Sequence, residues 1–166
     1  MDLRREELAD YAAILAVHRQ AFEREGEALL VDRLARDQVD RMSLVAAIDS
    51  SIVGHVLFSE AQLIFDSQSI SVGALGPIGV LHTHRRRGVA AALIRHGLGL
   101  CWQRGWPAVI VLGDPAYYGR FGFKRADAWA IRCELDVPPE AFMIAFAGEP
   151  IHGPAIARYH RAFASV

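Results

Sequence analysis

Cysteine is scarce in this sequence: Cys101 and Cys133 are the two in 166 residues. They stand far apart, match no metal-ligand spacing and outline no disulfide framework, so no metal site is expected. A reducing, cytoplasmic setting follows as the expectation. An excess of one charge is also missing. Eighteen Lys and Arg against 19 Asp and Glu leave a net charge of −1. A large nucleic-acid interface needs a broad positive footprint, and none is expected here. No apolar run is long enough to span a bilayer, and no secretory leader is recognisable, so no membrane partner is expected. A dinucleotide fold would show Gly-x-Gly-x-x-Gly after an early strand, and a P-loop would show Gly-Lys-Ser/Thr; both are missing. Internal repeats and low-complexity tracts are missing too.

What is present is a globular composition, 52% hydrophobic and 22% charged. The length predicts one domain over residues 1–166 with a sizeable core. The most informative stretch is residues 75–105. Ile78, Gly79, Val80 and Leu81 read as the end of a strand behind Pro77. Arg85, Arg86, Arg87 and Gly88 form a tight basic turn. From Val89 the spacing becomes helical, with Val89, Leu93, Gly97 and Leu100 on one side and Ala90, Ile94, Leu98 and Cys101 widening it. Cys101 therefore reads as core filling. Gly105 and Pro107 stop the helix. A glycine at a helix entry admits a ligand close to the backbone, and the first amides there lack internal partners. With neighbouring arginines, this is a site for a compact anion such as a pyrophosphate.

Arg85-Arg-Arg-Gly88-Val-Ala90 resembles the (Arg/Gln)-x-x-Gly-x-(Gly/Ala) signature of the GNAT superfamily of N-acetyltransferases. A second match lies downstream, where Ala116-Tyr-Tyr-Gly-Arg-Phe-Gly-Phe123 resembles the family's aromatic-Tyr-x-x-(Leu/Phe)-Gly-Phe motif. The longer string from Gly113 to Phe123, with Tyr159-His-Arg-Ala-Phe163 in the tail, resembles one bacterial branch of the family. The resemblance implies a mixed α/β (α+β) fold. Its central sheet would be mostly antiparallel, splayed between its fourth and fifth strands, with helices on both faces. It implies acetyl-coenzyme A as co-substrate and an amine, small molecule or peptide, as acceptor. The pyrophosphate would rest on the amides that follow Arg85, with Arg85, Arg86, Arg87, Gly88, Val89, Ala90 and Ala91 forming the turn. Ile78, Gly79 and Val80 would pair with the pantetheine arm as an added strand does. An amide near Val80 would polarise the carbonyl, and Tyr118 would protonate the departing thiolate. Three positions depart from the family pattern. Arg86 stands where glycine is frequent, Ala90 where a second glycine is frequent, and His82 where proline is usual.

The rest of the chain reads as follows. Residues 2–6 form a first strand. Tyr11–Phe22 and Ala28–Arg36 are helices that meet near Gly26, the first capped by Asp10. Ser43–Asp49 and Ile52–Ile64 make a hairpin, and Ile70–Leu81 leads into the basic turn. Pro77 predicts a bulge or a simple strand break. Ala108–Leu112 is a buried parallel strand, which makes strand, helix, strand a right-handed crossover. Ala128–Leu135 and Phe142–Phe146 are further strands, and Ile151–Phe163 fits strand or helix equally.

For chemistry, a phenol's ordinary pKa near ~10 is close to a thiol's, which suits Tyr118 as general acid; a packed aromatic is the alternative. Candidate bases are Glu23, Glu27, His55, Glu60, His82 and Asp114, with His82 and His84 flanking the basic turn. Asp114 has a competing use as helix cap. A dedicated base is not required for an exposed amine at alkaline pH. Trp102, Trp106 and Trp129 suit either core or a homodimer interface. The reading that competes with an enzyme is a non-catalytic acyl-coenzyme A-binding module of the same fold.

Overall fold

The computed structural model describes residues 1–165. Strand β1 (Asp2–Arg5) passes through a 3-10 turn into helix α1 (Tyr11–Phe22), and α2 (Gly26–Arg36) follows. The spacing of Ile14 and Val17, then Leu30 and Leu34, puts an apolar stripe on each helix, and all four are buried. The cap expected from Asp10 is not made. Its carboxylate turns back to accept from the Glu7 amide at 2.7 Å and the Arg4 guanidinium at 2.7 Å. Asp10 thus closes the 3-10 turn at Leu8–Asp10 and leaves the first amides of α1 uncapped by it.

Strands β2 (Arg41–Ile48), β3 (Ser51–Ile64) and β4 (Ser69–Val80) form an antiparallel meander. Asp49 and Ser50 join the first two with φ of 51° and 64°, the left-handed pair that matches strand twist. Helix α3 (Val89–Gln103) carries the chain over to β5 (Ala108–Leu112), which lies parallel to β4. The helix ends as expected: Gly105 adopts φ 96°, and the Trp106 amide reaches back to the Cys101 carbonyl at 3.2 Å. Short helix α4 (Pro115–Tyr118) precedes β6 (Lys124–Arg125), β7 (Ile131–Cys133), β8 (Phe142–Phe146) and β9 (Ala155–Arg158). The tail differs from expectation in two places. Ala126–Trp129 is a 3-10 turn that ends on Ala130 at φ 56°, which shortens the strand expected from residue 128. The segment 151–163 divides into β9 and a 3-10 turn from Arg161, so it is strand first and turn after.

The sheet is ordered β1-β2-β3-β4-β5-β8-β6, and β9 pairs with the far end of β3 and with β7. The fold is mixed α/β and mostly antiparallel, as the resemblance implied. The expected bulge forms at Pro77: between the pairs Val56–Ile78 and Phe58–Leu75, Gly76 and Pro77 of β4 oppose the single Leu57 of β3. Strands β4 and β5 pair over Gly73–Leu75 and Val109–Val111, and β4 then runs on to Val80 without that neighbour. That is the splay between the fourth and fifth strands.

Alternation along the strands sends side chains to two faces. On one, Leu44, Val56 and Phe58 meet Leu93, Ile94 and Cys101 of α3. On the other, Val45 and Leu57 meet Ile14, Leu30 and Leu34 of α1 and α2. Trp106 belongs to the first core and is 5% exposed. Gly97 lets α3 lie against the sheet, because a Cβ there would overlap the Phe58 ring. Gly99, two residues on, has open space instead. Two alanine substitutions on one helix should therefore differ in sign. Gly97→Ala should cost about 1–3 kcal/mol through overpacking, while Gly99→Ala should stabilise by about 0.5–1 kcal/mol through helix propensity. Urea unfolding of the two variants measures both.

Candidate active site

The open stretch of β4 sets the site's geometry. The Leu81 amide donates to the Val53 carbonyl at 2.9 Å, so it faces β3. Strand alternation then turns the amides of Val80 and Ile78 the other way, toward the side that β5 has left. At the end of this strand a 3-10 turn (His82–His84) leads into the arginines. Arg86 adopts φ 60° and Gly88 φ 77°. The frequent glycine at the Arg86 position now has a reason, since the backbone there is left-handed. The first bond of α3 is from the Ala92 amide to the Gly88 carbonyl at 3.0 Å. The amides of Val89, Ala90 and Ala91 precede it and have no partner within the helix.

A cavity of about 570 Å³ lies along this corner. It is lined by Ile78, Gly79 and Val80 from β4, by Arg85, Arg86 and Gly88 from the turn, and by Val89, Ala90 and Ala91 from α3. Arg87, also expected there, is outside the lining. His84, which flanks the turn, and Tyr117 also line the cavity, as does Arg120, which was not singled out from the sequence. Arg120 adds a further guanidinium, stacked 4.9 Å from the Tyr117 ring centre. Its signal was the arginine inside the Tyr-Tyr-Gly-Arg-Phe string. No side chain approaches Gly88 where a Cβ would stand. Open space, bare amides and three arginines fit a diphosphate, and the unpaired β4 edge fits an extended amide-bearing arm.

The turn is fastened to α1. Arg85 donates to the Ala21 carbonyl at 2.7 Å, and His82 Nε2 donates to the Gln20 carbonyl at 2.8 Å. His82 thereby tethers the turn to α1 through Nε2. Asp114 accepts from the Ala116 amide at 3.0 Å and caps α4, so it too is engaged. Glu23 is exposed, while Glu60 lies on β3 near Gln62.

Tyr118 does not share the first cavity. It lines a second one of about 410 Å³ with Pro77, Leu112 and Glu27, and Ile78 and Phe22 belong to both. Its ring stands edge-on to Tyr117 at 5.1 Å and to Phe123 at 5.9 Å. Gly113 is required beside it, because a Cβ there would overlap the Tyr118 ring. Burial, aided by Tyr117, pushes the phenol up to about 12. The match to a thiol is therefore poorer than the sequence reading assumed. The hydroxyl remains protonated over the whole neutral range and available as a donor.

His55 is buried in a line of polar groups that the sequence did not reveal. Glu6 accepts from the Ser43 hydroxyl at 2.7 Å. Ser43 Oγ lies 2.7 Å from His55 Nε2, and His55 Nδ1 lies 2.7 Å from His18 Nε2. Since the serine proton goes to Glu6, Ser43 accepts from His55 Nε2, and His55 Nδ1 accepts from His18 Nε2. That leaves His18 Nδ1 as a lone pair with no partner, 3.0 Å from where a Cβ on Gly79 would sit. His18 and His55 are 37 residues apart, and α1 packed on β3 and β4 is what joins them.

Burial lowers His18 from 6.5 to about 4, with the Glu27 carboxylate opposing, and burial holds His55 well below 6.5. Among the described residues no group of three or more His, Cys, Asp or Glu is placed to hold a metal ion. No described helix is long and apolar enough to cross a membrane.

The fold and this corner define an acetyltransferase: residues 2–126 match the acetyltransferase (GNAT) domain, and the chain belongs to that family. Among individual relatives, it is 32% identical to the N-acetyltransferase YhbS of Escherichia coli K12 over 157 residues, 93% of each chain. It superposes on the Escherichia coli YhbS structure in complex with CoA with a TM-score of 0.89 at 31% identity, covering 98% of this chain and 91% of that one. A GNAT acetyltransferase from Brucella melitensis, in complex with acetyl-CoA, gives 0.81 at 29% identity, with 98% and 97% covered.

The two histidines make folding sensitive to mild acid. Their pKa values are depressed in the folded state, so the unfolded chain binds more protons below pH 6.5 and stability falls with pH. His18 alone should remove about 2 kcal/mol between pH ~6.5 and pH ~5. Urea unfolding across that window should show the fall, and His18→Gln should lessen it and leave the share that belongs to His55.

Proposed function

We propose that this chain transfers the acetyl group of acetyl-coenzyme A directly to a primary amine. The observation that carries the reading is the meeting of two cavities at Ile78. One offers bare helix amides and arginines, and the other holds Tyr118. The relatives' complexes with CoA and acetyl-CoA support the choice of donor.

Bound acetyl-coenzyme A would supply an activated thioester, whose carbonyl carbon bonds to the amine nitrogen as the C–S bond breaks. The residues of the chain divide the remaining work. The amides of Val89, Ala90 and Ala91, with Arg85, Arg86 and Arg120, hold the diphosphate. Ile78, Gly79 and Val80 fix the arm along the open edge, which removes much of the orientational entropy from the reaction. The Val80 amide is aimed into the gap, where it can stabilise charge on the carbonyl oxygen. Tyr118 donates its proton toward sulfur as the thiol leaves. Its raised pKa makes it a strong holder of that proton, so it acts late, when negative charge on sulfur is well developed. The amine proton passes to solvent or to a nearby carboxylate.

Two substitutions separate holding from chemistry. Gly88→Val forces a β-branched residue into a left-handed backbone and fills the space above the amides. It should abolish acetyl-coenzyme A binding in calorimetry while the circular dichroism spectrum is retained. Tyr118→Phe should lower kcat about 100-fold with little change in donor affinity. Thiol release in the presence of amines reads kcat, and a non-catalytic module would show binding without release.

A further inference from the structure

The cavity that holds Tyr118 has a chemistry of its own. Its walls are apolar: Phe22, Leu30, Leu75, Pro77, Ile78 and Phe163. They come from both N-terminal helices, the bulged part of β4 and the tail. Besides Tyr118, two polar side chains interrupt this surface, Glu27 and Tyr159, and each is 5% exposed.

A carboxylate with so little water around it needs a partner. Among the described residues Glu27 pairs with Arg24, whose side chain is 63% exposed and reaches it from the solvent side. Arg24 Nε lies 3.1 Å from Oε1 and 3.0 Å from Oε2, and its terminal nitrogen adds a second bond to Oε1. A carboxylate has about four acceptor positions, so Oε2 retains capacity. The Tyr159 hydroxyl is buried and has no hydrogen-bond partner among the described residues. A buried hydroxyl left unpaired is uncommon, and here it belongs to a residue that lines a cavity.

We infer that this cavity is the acceptor subsite and that it selects primary amines with a compact apolar frame. Arylalkylamines and short branched alkylamines are the class, with Glu27 holding the ammonium. The inference rests on the acetyl-transfer reading above. Glu27 already has one cationic partner, and its remaining acceptor capacity suits one further ammonium, which disfavours polyamines. Walls whose side chains are mostly apolar leave the several hydroxyls of an amino sugar or the carbonyls of a peptide short of partners, which disfavours both. Ile78 and Phe22 also line the donor cavity, so an amine seated here points its nitrogen toward the gap in the sheet.

The test is a comparison of kcat/KM for phenethylamine and isoamylamine against spermidine and a lysine-containing peptide, with acetyl-coenzyme A as donor. The two apolar amines should exceed the others at least ~100-fold, the size of discrimination that unpaired polar groups produce. Glu27→Gln should raise the KM for phenethylamine ~10-fold or more and leave acetyl-coenzyme A affinity unchanged in calorimetry. Glu27→Asp, which keeps the charge, should lie between that variant and the parent. A preference for spermidine or the peptide overturns the inference while acetyl transfer stands. If no amine is acetylated, phenethylamine binding to the coenzyme A-loaded protein decides. Binding that Glu27→Gln removes supports the subsite and sinks the enzymatic reading, whereas no binding overturns the subsite. Failure to bind acetyl-coenzyme A overturns the acetyl-transfer reading on its own.

Discussion

A strand that loses its neighbour part-way must find new partners for its peptide groups. β4 does so after Leu75, where β5 turns away and the edge from Gly76 to Val80 stays open. The surrounding structure keeps that edge straight without closing it. β3 holds the opposite edge through Val80, Gly79 and Ile78. α3 covers one face through Val89 and Leu93, and α1 covers the other through His18 and Ala21. An extended chain of amides is the natural occupant, because it supplies the missing ladder without repacking either face. The bulge at Gly76 and Pro77 is part of the same solution, since it bends β4 where the two strands part.

Burial then gives the few polar groups near this edge their character. Desolvation lowers His18 and His55, and raises Tyr118. The result is a neutral imidazole pair under α1 and a phenol that keeps its proton, on either side of the β4 edge. Removing water also strengthens each remaining dipole. The two cavities differ in origin. The one at the basic turn is lined mainly by the stretch from Ile78 to Ala91, with Arg120 added from downstream. The one that holds Tyr118 is assembled from α1, α2, β4, β5, α4 and the tail, elements distant in sequence.

That difference explains what the sequence could and could not tell. Helix α1 runs from Tyr11 to Phe22 as its spacing predicted, and β5 from Ala108 to Leu112, because apolar periodicity is a local property. The basic turn was legible because its residues are consecutive. Asp10 was misread because an aspartate before a helix signals a cap, yet Arg4, six residues earlier, offers it a charged partner. The His18–His55–Ser43–Glu6 line was invisible because no spacing encodes a contact between a helix and a strand 37 residues on. Glu27 was one candidate among six. Only the packing of α2 against the bulge and the tail separates it from exposed acids such as Glu23. The tail was ambiguous because its segments are short and its turns are 3-10, which carry weak periodicity.

Arg86 inverts a familiar rule. Inserting glycine into a structured segment ordinarily loosens it, since the unfolded chain gains freedom. At φ 60° the arginine already sits where an L-residue is uncomfortable, by roughly 1–2 kcal/mol. Here the flexible residue is the relaxed one, and the charged residue is the one under conformational load. The loop that lines the cavity beside α3 has thus traded ease of folding for a guanidinium. Selection for anion affinity would leave that trace, and selection for stability alone would erase it.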